Sequence, residues 1–355
     1  MSLLLPATLV IGHGAFETAA EIAFREAHHQ KAKRSIESCS QRLHKRDAVE
    51  KRFAKTDAFI DSHRRSQAID QHHSNTALKR DFIVNGLNST CILTPEAEEG
   101  PFYVDGMLIR QDIRESQPGI DLLLDIQITN VNTCKPMPGV YIDFWNANGT
   151  GVYSGKEVEG TVGLTYLRGL QASDSNGILQ MLTSFPGFYP GRAQHVHVKA
   201  HVNGTVAENK TFMGGSVVHT GQLFFAQSTL DMVNTIFPYT EDPNDITLNS
   251  VDQVIQGQAN TSYYNAVVET RSLGYNISAG LIGFINIAID PTTIPEAAGP
   301  GDGGGMGGDD NGMMPSGSMP SGSMPSGSMP RGGMPGTGMS SGSAGGAPPA
   351  EATSA

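Results

Sequence analysis

Six short apolar runs within residues 90–290 constrain the fold of this chain more than any other feature of its sequence. Clusters rich in Gly, Asn, Ser and Pro separate the runs, and β-branched residues are frequent within them. This pattern is typical of β-strands, in which successive side chains alternate between the two faces of a sheet. The runs occupy residues 122–129, 140–145, 177–182, 195–202, 222–225 and 279–287. They predict a mainly β fold, an antiparallel β-sandwich that covers residues 81–297.

The regions on either side of the β domain differ from it in composition. Residues 25–80 hold 14 of the 24 basic and 7 of the 35 acidic residues, so this stretch carries +7 while the whole chain carries −11. The basic residues are scattered without interleaved aromatic residues, which predicts a helical region at 15–80 that covers part of the core and does not bind nucleic acid. Residues 298–355 are mainly Gly, Ser, Met, Pro and Ala, with three consecutive Ser-Gly-Ser-Met-Pro repeats. Such a tail cannot bury a core and is expected to be disordered.

Two sequence features predict a secreted protein. Residues 1–14 contain a short apolar segment followed by small residues, which fits a signal peptide. Six Asn-x-Ser/Thr sequons precede the tail and predict N-glycosylation. Their asparagines are Asn88, Asn148, Asn203, Asn209, Asn260 and Asn276.

The cysteines and the hydropathy are compatible with secretion. Cys91 and Cys134 flank predicted strands and can close a disulfide bond, which leaves Cys39 over. No other apolar run is long enough to span a membrane. We therefore expect an extracellular protein without a membrane span, and the sequence predicts no oligomeric state.

The segment at residues 187–198 carries the residues best suited to chemistry. It contains Tyr189, Arg192 and the pair His195 and His197, and from residue 81 onward the chain has only two other histidines. On a strand, residues two apart project to the same side, so the two imidazoles lie next to each other. This spacing suits a metal ion, but it does not by itself choose between iron, zinc and copper. The alternative is two ordinary polar residues on a solvated strand face.

Two tyrosines are the candidates for further metal ligands. Tyr189 lies in the same segment as the histidines, and Tyr153 follows a predicted strand in a glycine-rich bend. Glycine permits the tight backbone conformations that would turn the Tyr153 phenol inward. For any single tyrosine the alternative is core packing with a hydrogen-bonded hydroxyl.

Several motifs between Cys91 and Phe225 together resemble the intradiol ring-cleavage dioxygenases, and most closely their secreted fungal branch. The motifs are Glu99-Gly100-Pro101-Phe102-Tyr103, Trp145-x-x-Asn148-x-x-Gly151-x-Tyr153, Phe188-Tyr189, Arg192-x-x-His195-x-His197 and Thr220-Gly221-Gln222-Leu223-Phe224-Phe225. The resemblance implies a mononuclear non-haem Fe(III) centre. Its ligands would be Tyr153, Tyr189, His195 and His197.

The resemblance also implies a reaction and a role for several residues. The substrates would be a small aromatic diol of the catechol type and O2, and both oxygen atoms would enter a cis,cis-muconate-type product. Tyr189 would leave the metal when the catechol binds and accept a substrate proton. Arg192 would stabilise negative charge on the ring, and Gln222 would orient Arg192 or the substrate. The substrate pocket would include Gly100, Pro101 and Phe102.

The chain departs from the family pattern at several positions. The run from Tyr189 to His195 is shorter than in the bacterial enzymes, so a substrate preference does not transfer. Asn146 stands where secreted relatives often have histidine, and Ala226 stands where an acidic residue is common. Two other classes of function remain open. One is a copper or zinc protein built on the same histidines, and the other is a non-catalytic secreted or cell-wall β-sandwich protein.

Overall fold

The computed structural model describes residues 46–66, 90–92, 100–260 and 265–292, together with the helical positions 27, 30 and 34. The predicted signal peptide at 1–14, the predicted tail at 298–355 and most of the predicted helical region at 15–80 lie outside these residues, as do Cys39 and Asn88. The side chains of Cys91 and Asn260 also lie outside the description. Cys134 is disulfide-bonded. Its pairing with Cys91 stays a prediction.

Nine β-strands of the described residues form two layers joined by hydrogen bonds. The strands are β1 (Thr90–Ile92), β2 (Asp121–Asn130), β3 (Tyr141–Trp145), β4 (Arg168–Ala172), β5 (Ile178–Ser184), β6 (His195–Val206), β7 (Phe212–Phe225), β8 (Val267–Ser272) and β9 (Leu281–Ile289). Their order is β4-β3-β6-β7-β8-β9-β2-β5, with β1 beside β9. Two residue pairs connect β7 to β8 and thereby link the layers.

Alternate side chains of the two layers fill the space between them. On one side they come from β2, β5 and β9, and on the other from β3, β6 and β7. Representative members of this single buried cluster are Leu124, Ile126, Ile285, Phe144, Val196 and Val198. The core of the sandwich therefore consists of the apolar runs seen in the sequence.

Three helices have described bounds: α1 (Arg46–Ser66), α2 (Gln227–Val233) and α3 (Gln253–Asn260), and short 3-10 turns lie at Tyr239–Glu241 and Ile277–Ala279. Within the described part of the chain, no helix has the length and apolar composition needed to cross a bilayer.

The predicted fold class, a mainly β sandwich with an N-terminal helical region, is confirmed, and the six predicted strands correspond to β2, β3, β5, β6, β7 and β9. The antiparallel arrangement holds for β2–β5, β3–β4, β3–β6, β6–β7 and β8–β9. It needs correction for β1–β9, β2–β9 and β7–β8, which are parallel. Hydrophobic periodicity identifies a strand but not its partner, so strands far apart in sequence, such as β2 and β9, are not paired by inspection.

Helix α1 covers the face of the β2–β5–β9 layer that points away from the core. Its apolar residues pack against Leu123, Leu182 and Phe284. Arg52 forms a buried ion pair with Asp125 of β2 and lies over the Phe284 ring, 4.6 Å from its centroid. Asp125 also accepts hydrogen bonds from Thr56 of the helix, at 3.0 Å, and from Gln180 of β5, at 2.7 Å. The helix is thus anchored by charge as well as by apolar contact.

Replacing Arg52 by Met is expected to lower the free energy of unfolding by about 3–5 kcal/mol, because Asp125 would remain buried without its counter-charge. The matched control is Lys55→Met on the same helix, where the ion pair with Asp174 is about one-third exposed and is worth about 1 kcal/mol or less. Urea unfolding of the three proteins measures both effects. Equal losses in the two variants would show that Arg52 does not anchor the helix through Asp125.

Candidate metal centre

The candidate site lies on the face of the β3–β6 layer that points away from the core of the sandwich. Val196 and Val198 face that core, and His195 and His197 lie on the opposite face, as strand alternation requires. Both imidazoles are nevertheless buried, because aromatic residues of the covering loops pack on them. From the neighbouring strand, Trp145 lies opposite His197, and their rings stack with centroids 4.7 Å apart.

The two histidines present nitrogen atoms to the same point. Their Nε2 atoms are 3.0 Å apart, which is close enough for both to bind one metal ion. His195 Nδ1 lies 2.6 Å from the Ala193 carbonyl oxygen, which can only accept, so Nδ1 carries the proton and the Nε2 lone pair is free. Burial and then the Arg192 charge lower the pKa of His195 to about 3, which keeps the ring neutral at pH 7.

Tyr153 brings a phenol to the same point from the glycine-rich bend. Its ring stacks on Phe102 with centroids 4.3 Å apart, and its centroid lies 6.2 Å from that of His197. The bend needs glycine at Gly151, where φ is +80° and an added Cβ would lie 2.2 Å from the Phe188 carbonyl oxygen. The Tyr153 hydroxyl is buried, and by distance and angle it forms no hydrogen bond with any other residue that the structure describes. Burial, followed by the neighbouring Tyr189, raises its pKa well above the usual value for a phenol.

Tyr189 and Arg192 are brought together by a tight turn. The Arg192 N–H donates to the Tyr189 carbonyl at 3.1 Å, with Pro190 and Gly191 between them and φ of +79° at Gly191. This sequence is typical of a type II turn. The Tyr189 hydroxyl lies 3.3 Å from His195 Nε2 and accepts a hydrogen bond from Arg192 Nη1, also at 3.3 Å. The turn therefore places a phenol and a guanidinium beside the histidines.

The Arg192 guanidinium is held on three sides. Its Nε donates to Asp252 Oδ2 at 2.9 Å, Nη2 donates to Gln222 Oε1, and Nη1 donates to Tyr189. Asp252 also accepts from the Ala193 N–H at 2.7 Å and from two N–H groups in the first turn of α3, at 2.9 and 3.0 Å. Burial alone would raise the pKa of Asp252, but the Arg192 charge and these N–H groups lower it below its usual value. Arg192 is thus a fixed, charge-paired cation.

The predicted pocket residues differ in how close they come to this cluster. Phe102 is partly buried and contacts both candidate tyrosine ligands, stacked on Tyr153 and edge-on to Tyr189 with centroids 5.4 Å apart. Gly100 adopts φ of +73°, and a Cβ there would lie 3.6 Å from Cε1 of His197. Pro101 is exposed.

The loop that carries Phe102 is tied to the sheet by buried polar groups. The Tyr103 hydroxyl hydrogen-bonds the fully buried Asp143 of β3, and Lys199 Nζ lies 3.9 Å from the Tyr103 ring centroid. Lys156 Nζ donates to the Tyr103 carbonyl at 2.6 Å. Burial raises the pKa of Asp143 to about 8, although Tyr103 and Lys199 act in the opposite direction. Asp143 is therefore mainly protonated at pH 7.

Asp143 predicts a specific pH dependence of stability. Because folding raises its pKa, the folded state holds a proton that the unfolded state releases, so Asp143 makes the protein less stable as pH rises from about 4 to about 8, by up to about 1.4 kcal/mol per pH unit. Asp143→Asn removes this contribution. The variant should therefore gain stability relative to the wild type between pH 5 and pH 8, as measured by urea unfolding. If the difference in the free energy of unfolding between the two proteins stays constant from pH 5 to pH 8, the raised pKa of Asp143 is contradicted.

Of the two substituted positions that depart from the family pattern, Asn146 has a structural role and the Ala226 side chain provides no helix cap. Asn146 is buried, and its Nδ2 donates to the Ala147 and Ser184 carbonyls at 2.9 and 3.2 Å. Its Oδ1 accepts from the Thr183 hydroxyl at 2.9 Å, so it joins the end of β3 to β5. Ala226 is the residue before α2 and contributes no side-chain cap.

The donor set fits a metal ion that accepts phenolate oxygen and imidazole nitrogen. Among the described residues, no group of three or more His, Cys, Asp or Glu side chains forms a candidate metal site. The buried Tyr153 hydroxyl without a partner is a costly feature in a protein without a metal. A cation at this point would give the hydroxyl oxygen a partner and would bind the Nε2 lone pair of His195.

Two residues beside the cluster are missing from the sequence prediction. Asp252 lies 60 residues after Arg192, and its only signal is an acidic residue directly before a helix, which is typical of a cap. Arg168 begins β4, is 1% exposed and lies with its guanidinium carbon 6.0 Å from the Tyr153 ring centroid. Nothing in the local sequence marks it as buried.

Comparison with known proteins finds dioxygenases. A family model described as Dioxygenase matches residues 98–226. An intradiol ring-cleavage dioxygenase from Tetranychus urticae is 30% identical, with a TM-score of 0.48, and the match covers 58% of this chain and 98% of that one. The dioxygenase domain of a dioxygenase carbohydrate-binding fusion protein from Streptomyces sp. SirexAA-E is 27% identical, with a TM-score of 0.38, and the match covers 56% and 98%. The curated proteins include no significant match.

The chain belongs to the intradiol ring-cleavage dioxygenase family, because a 30% identical member is matched over 98% of its length. It is therefore an enzyme of the dioxygenase class. The family predicted from the sequence motifs is confirmed, and its secreted fungal branch stays a prediction. The segment matched by the family model contains the four predicted metal ligands, Arg192 and Gln222.

Proposed function

We propose that the protein is a non-haem Fe(III) dioxygenase that cleaves a catechol-type ring between its two hydroxylated carbons and forms a cis,cis-muconate-type product. The observation that carries this proposal is the clustering of two phenols and two buried imidazoles. The Tyr189 hydroxyl lies 3.3 Å from His195 Nε2, which lies 3.0 Å from His197 Nε2, and the Tyr153 ring centroid lies 5.6 Å from that of Tyr189. Tyr153, Tyr189, His195 and His197 would hold the iron. Arg192 lies at the edge of this group, where the substrate ring would bind.

The donor set favours ferric iron over zinc or copper. Burial raises the pKa of both phenols, so both are neutral unless a strongly charged cation lies beside them. Such a cation deprotonates a phenol that binds it. Hard, highly charged cations prefer anionic oxygen, whereas copper and zinc sites in proteins are usually built from histidine with thiolate, thioether or carboxylate. A ferric ion bound here would hold the catechol through both of its oxygens and make the ring reactive toward O2.

Tyr189 is the side chain best placed to exchange with substrate and to hold its proton. Its hydroxyl lies at the edge of the cluster, within 3.3 Å of both His195 Nε2 and Arg192 Nη1. As a released phenolate it would be stabilised by the adjacent guanidinium while it accepts a catechol proton. Arg192 would then stabilise negative charge that develops on the ring. Asp252 and Gln222 keep Arg192 in that position, so it does not have to reorganise during the reaction.

Aromatic side chains shape the space beside the phenols. Phe102 is stacked against Tyr153 and lies edge-on to Tyr189, which gives an apolar wall suited to the flat face of an aromatic ring. Burial of the two histidines excludes bulk water from the nitrogen donors. We therefore expect the substrate to be a small aromatic diol.

We further propose that the enzyme is secreted and N-glycosylated. Its Cys134 disulfide supports an oxidising compartment. Asn203, Asn209 and Asn276 are exposed, so we expect glycans there in protein from a eukaryotic secretory host. Asn148 should stay unmodified, because it is partly buried and its Nδ2 donates to Gln117 at 3.1 Å. Mass spectrometry of deglycosylated peptides measures all four sites, and a glycan on Asn148 with none on the other three would contradict this assignment.

Metal analysis and oxygen uptake test the proposed function. We expect one iron per chain, a visible tyrosinate-to-iron absorption band, and oxygen uptake with at least one of catechol, hydroxyquinol, protocatechuate and caffeate. Removal of iron with a chelator should abolish colour and uptake together, and Fe(III) should restore both where Zn(II) does not. A colourless iron-loaded protein, or activity restored equally by copper or zinc, would overturn the assignment of the metal.

A further inference from the structure

We propose that Arg168 is the fixed counter-cation of the Tyr153 phenolate, a positioning residue that keeps Tyr153 on the metal while Tyr189 exchanges with substrate. The inference rests on the proposed ferric centre and assigns a role to a residue outside the motifs that identify the family. It begins from a buried charge that forms no salt bridge with any of the residues that the structure describes.

The Arg168 guanidinium is tied to the chain directly after Tyr153. Its Nε donates to the carbonyl and the hydroxyl of Ser154, at 3.1 and 2.9 Å, and Nη2 donates to the same carbonyl at 2.6 Å. The Ser154 hydroxyl in turn donates to the Tyr166 carbonyl at 2.6 Å. The guanidinium carbon lies 6.0 Å from the Tyr153 ring centroid. The guanidinium is therefore held in a fixed position near the Tyr153 ring.

The charge of Arg168 is not matched by a carboxylate. Within the described part of the chain, Arg168 has no salt bridge, and the oxygens that accept from it belong to the neutral Ser154. Asp143 is the carboxyl whose field acts on it most, but burial raises the pKa of Asp143 to about 8. A buried guanidinium without a counter-charge is unfavourable, and arginine does not escape by losing its proton. A phenolate at Tyr153 supplies the missing negative charge.

Arg192 and Arg168 differ in whether a carboxylate balances their charge. This difference distinguishes the surroundings of Tyr189 from those of Tyr153. Arg192 is already neutralised by Asp252, at 2.9 Å, so its contact with Tyr189 is a hydrogen bond to a phenol that can come and go. Arg168 has no carboxylate in a salt bridge among the described residues, and a metal-bound Tyr153 phenolate would supply a negative charge near it. The surrounding protein thus favours Tyr153 as the permanent anionic ligand and Tyr189 as the exchangeable one.

Two substitutions separate the charge of Arg168 from its hydrogen bonds. Arg168→Gln keeps an N–H donor for Ser154 and removes the charge, whereas Arg168→Lys keeps both the charge and a donor. We expect Arg168→Gln to lower Fe(III) affinity about 10- to 100-fold, as for other partners of metal ligands, and Arg168→Lys to retain most of it. In Arg168→Gln the charge-transfer band should also move to longer wavelength, because removal of a positive charge near the Tyr153 ring makes the phenolate a better electron donor.

Thermal unfolding with and without iron provides a second readout that a purely structural role would not reproduce. Without iron, Arg168→Gln should be at least as stable as the wild type, because it removes an unpaired buried charge. With iron, it should be less stable than the wild type, so the rise in Tm on iron binding is smaller. Arg168→Lys should show the wild-type rise.

Three results would overturn this role for Arg168. They are an unshifted band with full iron affinity in Arg168→Gln, equal defects in the Gln and Lys variants, and an Arg168→Gln chain that does not fold even without iron. Failure of the proposed function would give a different result from these three. In that case the wild-type protein itself would show neither the tyrosinate-to-iron band nor a rise in Tm with Fe(III), and the role of Arg168 would fall with it.

Discussion

Tyr153→Phe is expected to remove the larger part of the visible tyrosinate-to-iron absorption and to lower Fe(III) affinity by more than about 100-fold. Loss of a residue that hydrogen-bonds a metal ligand already lowers metal affinity about 10- to 100-fold. We expect a larger loss here because the substitution deletes the ligand atom itself. The fold should survive, since phenylalanine preserves the ring that stacks on Phe102 at 4.3 Å. Among the described residues the deleted hydroxyl has no hydrogen-bond partner by distance and angle, so the substitution breaks no hydrogen bond of that kind.

The matched control is Tyr141→Phe in the strand that carries Trp145. The Tyr141 ring packs on Phe212 with centroids 4.7 Å apart, and its hydroxyl is not part of the candidate centre. This variant should keep the colour, the iron content and the oxygen uptake of the wild type. A Tyr153→Phe protein with an unchanged spectrum, or a Tyr141→Phe protein that loses its colour, would remove Tyr153 from the proposed ligand set.

Arg192→Met is expected to affect both stability and turnover. Asp252 would remain buried without its counter-charge, which predicts a loss of about 3–5 kcal/mol in the free energy of unfolding. Turnover should fall about 10²- to 10³-fold, because a fixed positive charge beside the reacting ring is lost. Urea unfolding and the initial rate of oxygen uptake by iron-loaded protein measure the two effects separately.

A double substitution separates the role of Arg192 in catalysis from its role in stability. Arg192→Met combined with Asp252→Leu removes both buried charges, so most of the lost stability should return. The lost turnover should not return, since the ring still lacks its neighbouring cation. If turnover recovers together with stability in the double variant, Arg192 acts only by holding the fold, and its catalytic role is refuted.

Local sequence was sufficient to predict the part of the site that depends on local geometry. Alternation on a strand places His195 and His197 on one face, and the Pro190-Gly191 turn brings Arg192 back beside Tyr189. Gly151 makes the bend that presents Tyr153, since no other residue fits there without a clash. These effects act over a few residues, and the printed sequence therefore contains the information.

The parts that sequence reasoning missed depend on tertiary packing. Asp252 reaches Arg192 only because α3 packs beside the start of β6, and Arg168 reaches Tyr153 only because β4 pairs with β3. The parallel pairing of β2 with β9 likewise joins strands from opposite ends of the domain. Charged residues such as Arg168 are normally exposed, so composition argued against its burial. Long-range pairing decides these contacts, and no local pattern encodes it.

Cleavage of catechol, or of the best substrate found by oxygen uptake, under ¹⁸O-labelled O2 tests the central claim most directly. Iron-loaded enzyme should give a cis,cis-muconate-type dicarboxylate that carries label from both atoms of O2, identified by mass spectrometry and by comparison with the authentic compound. Tyr153→Phe should give none of it above background. A semialdehyde product, which requires cleavage beside the diol and not between its carbons, or a quinone without incorporated label, would contradict the proposed reaction.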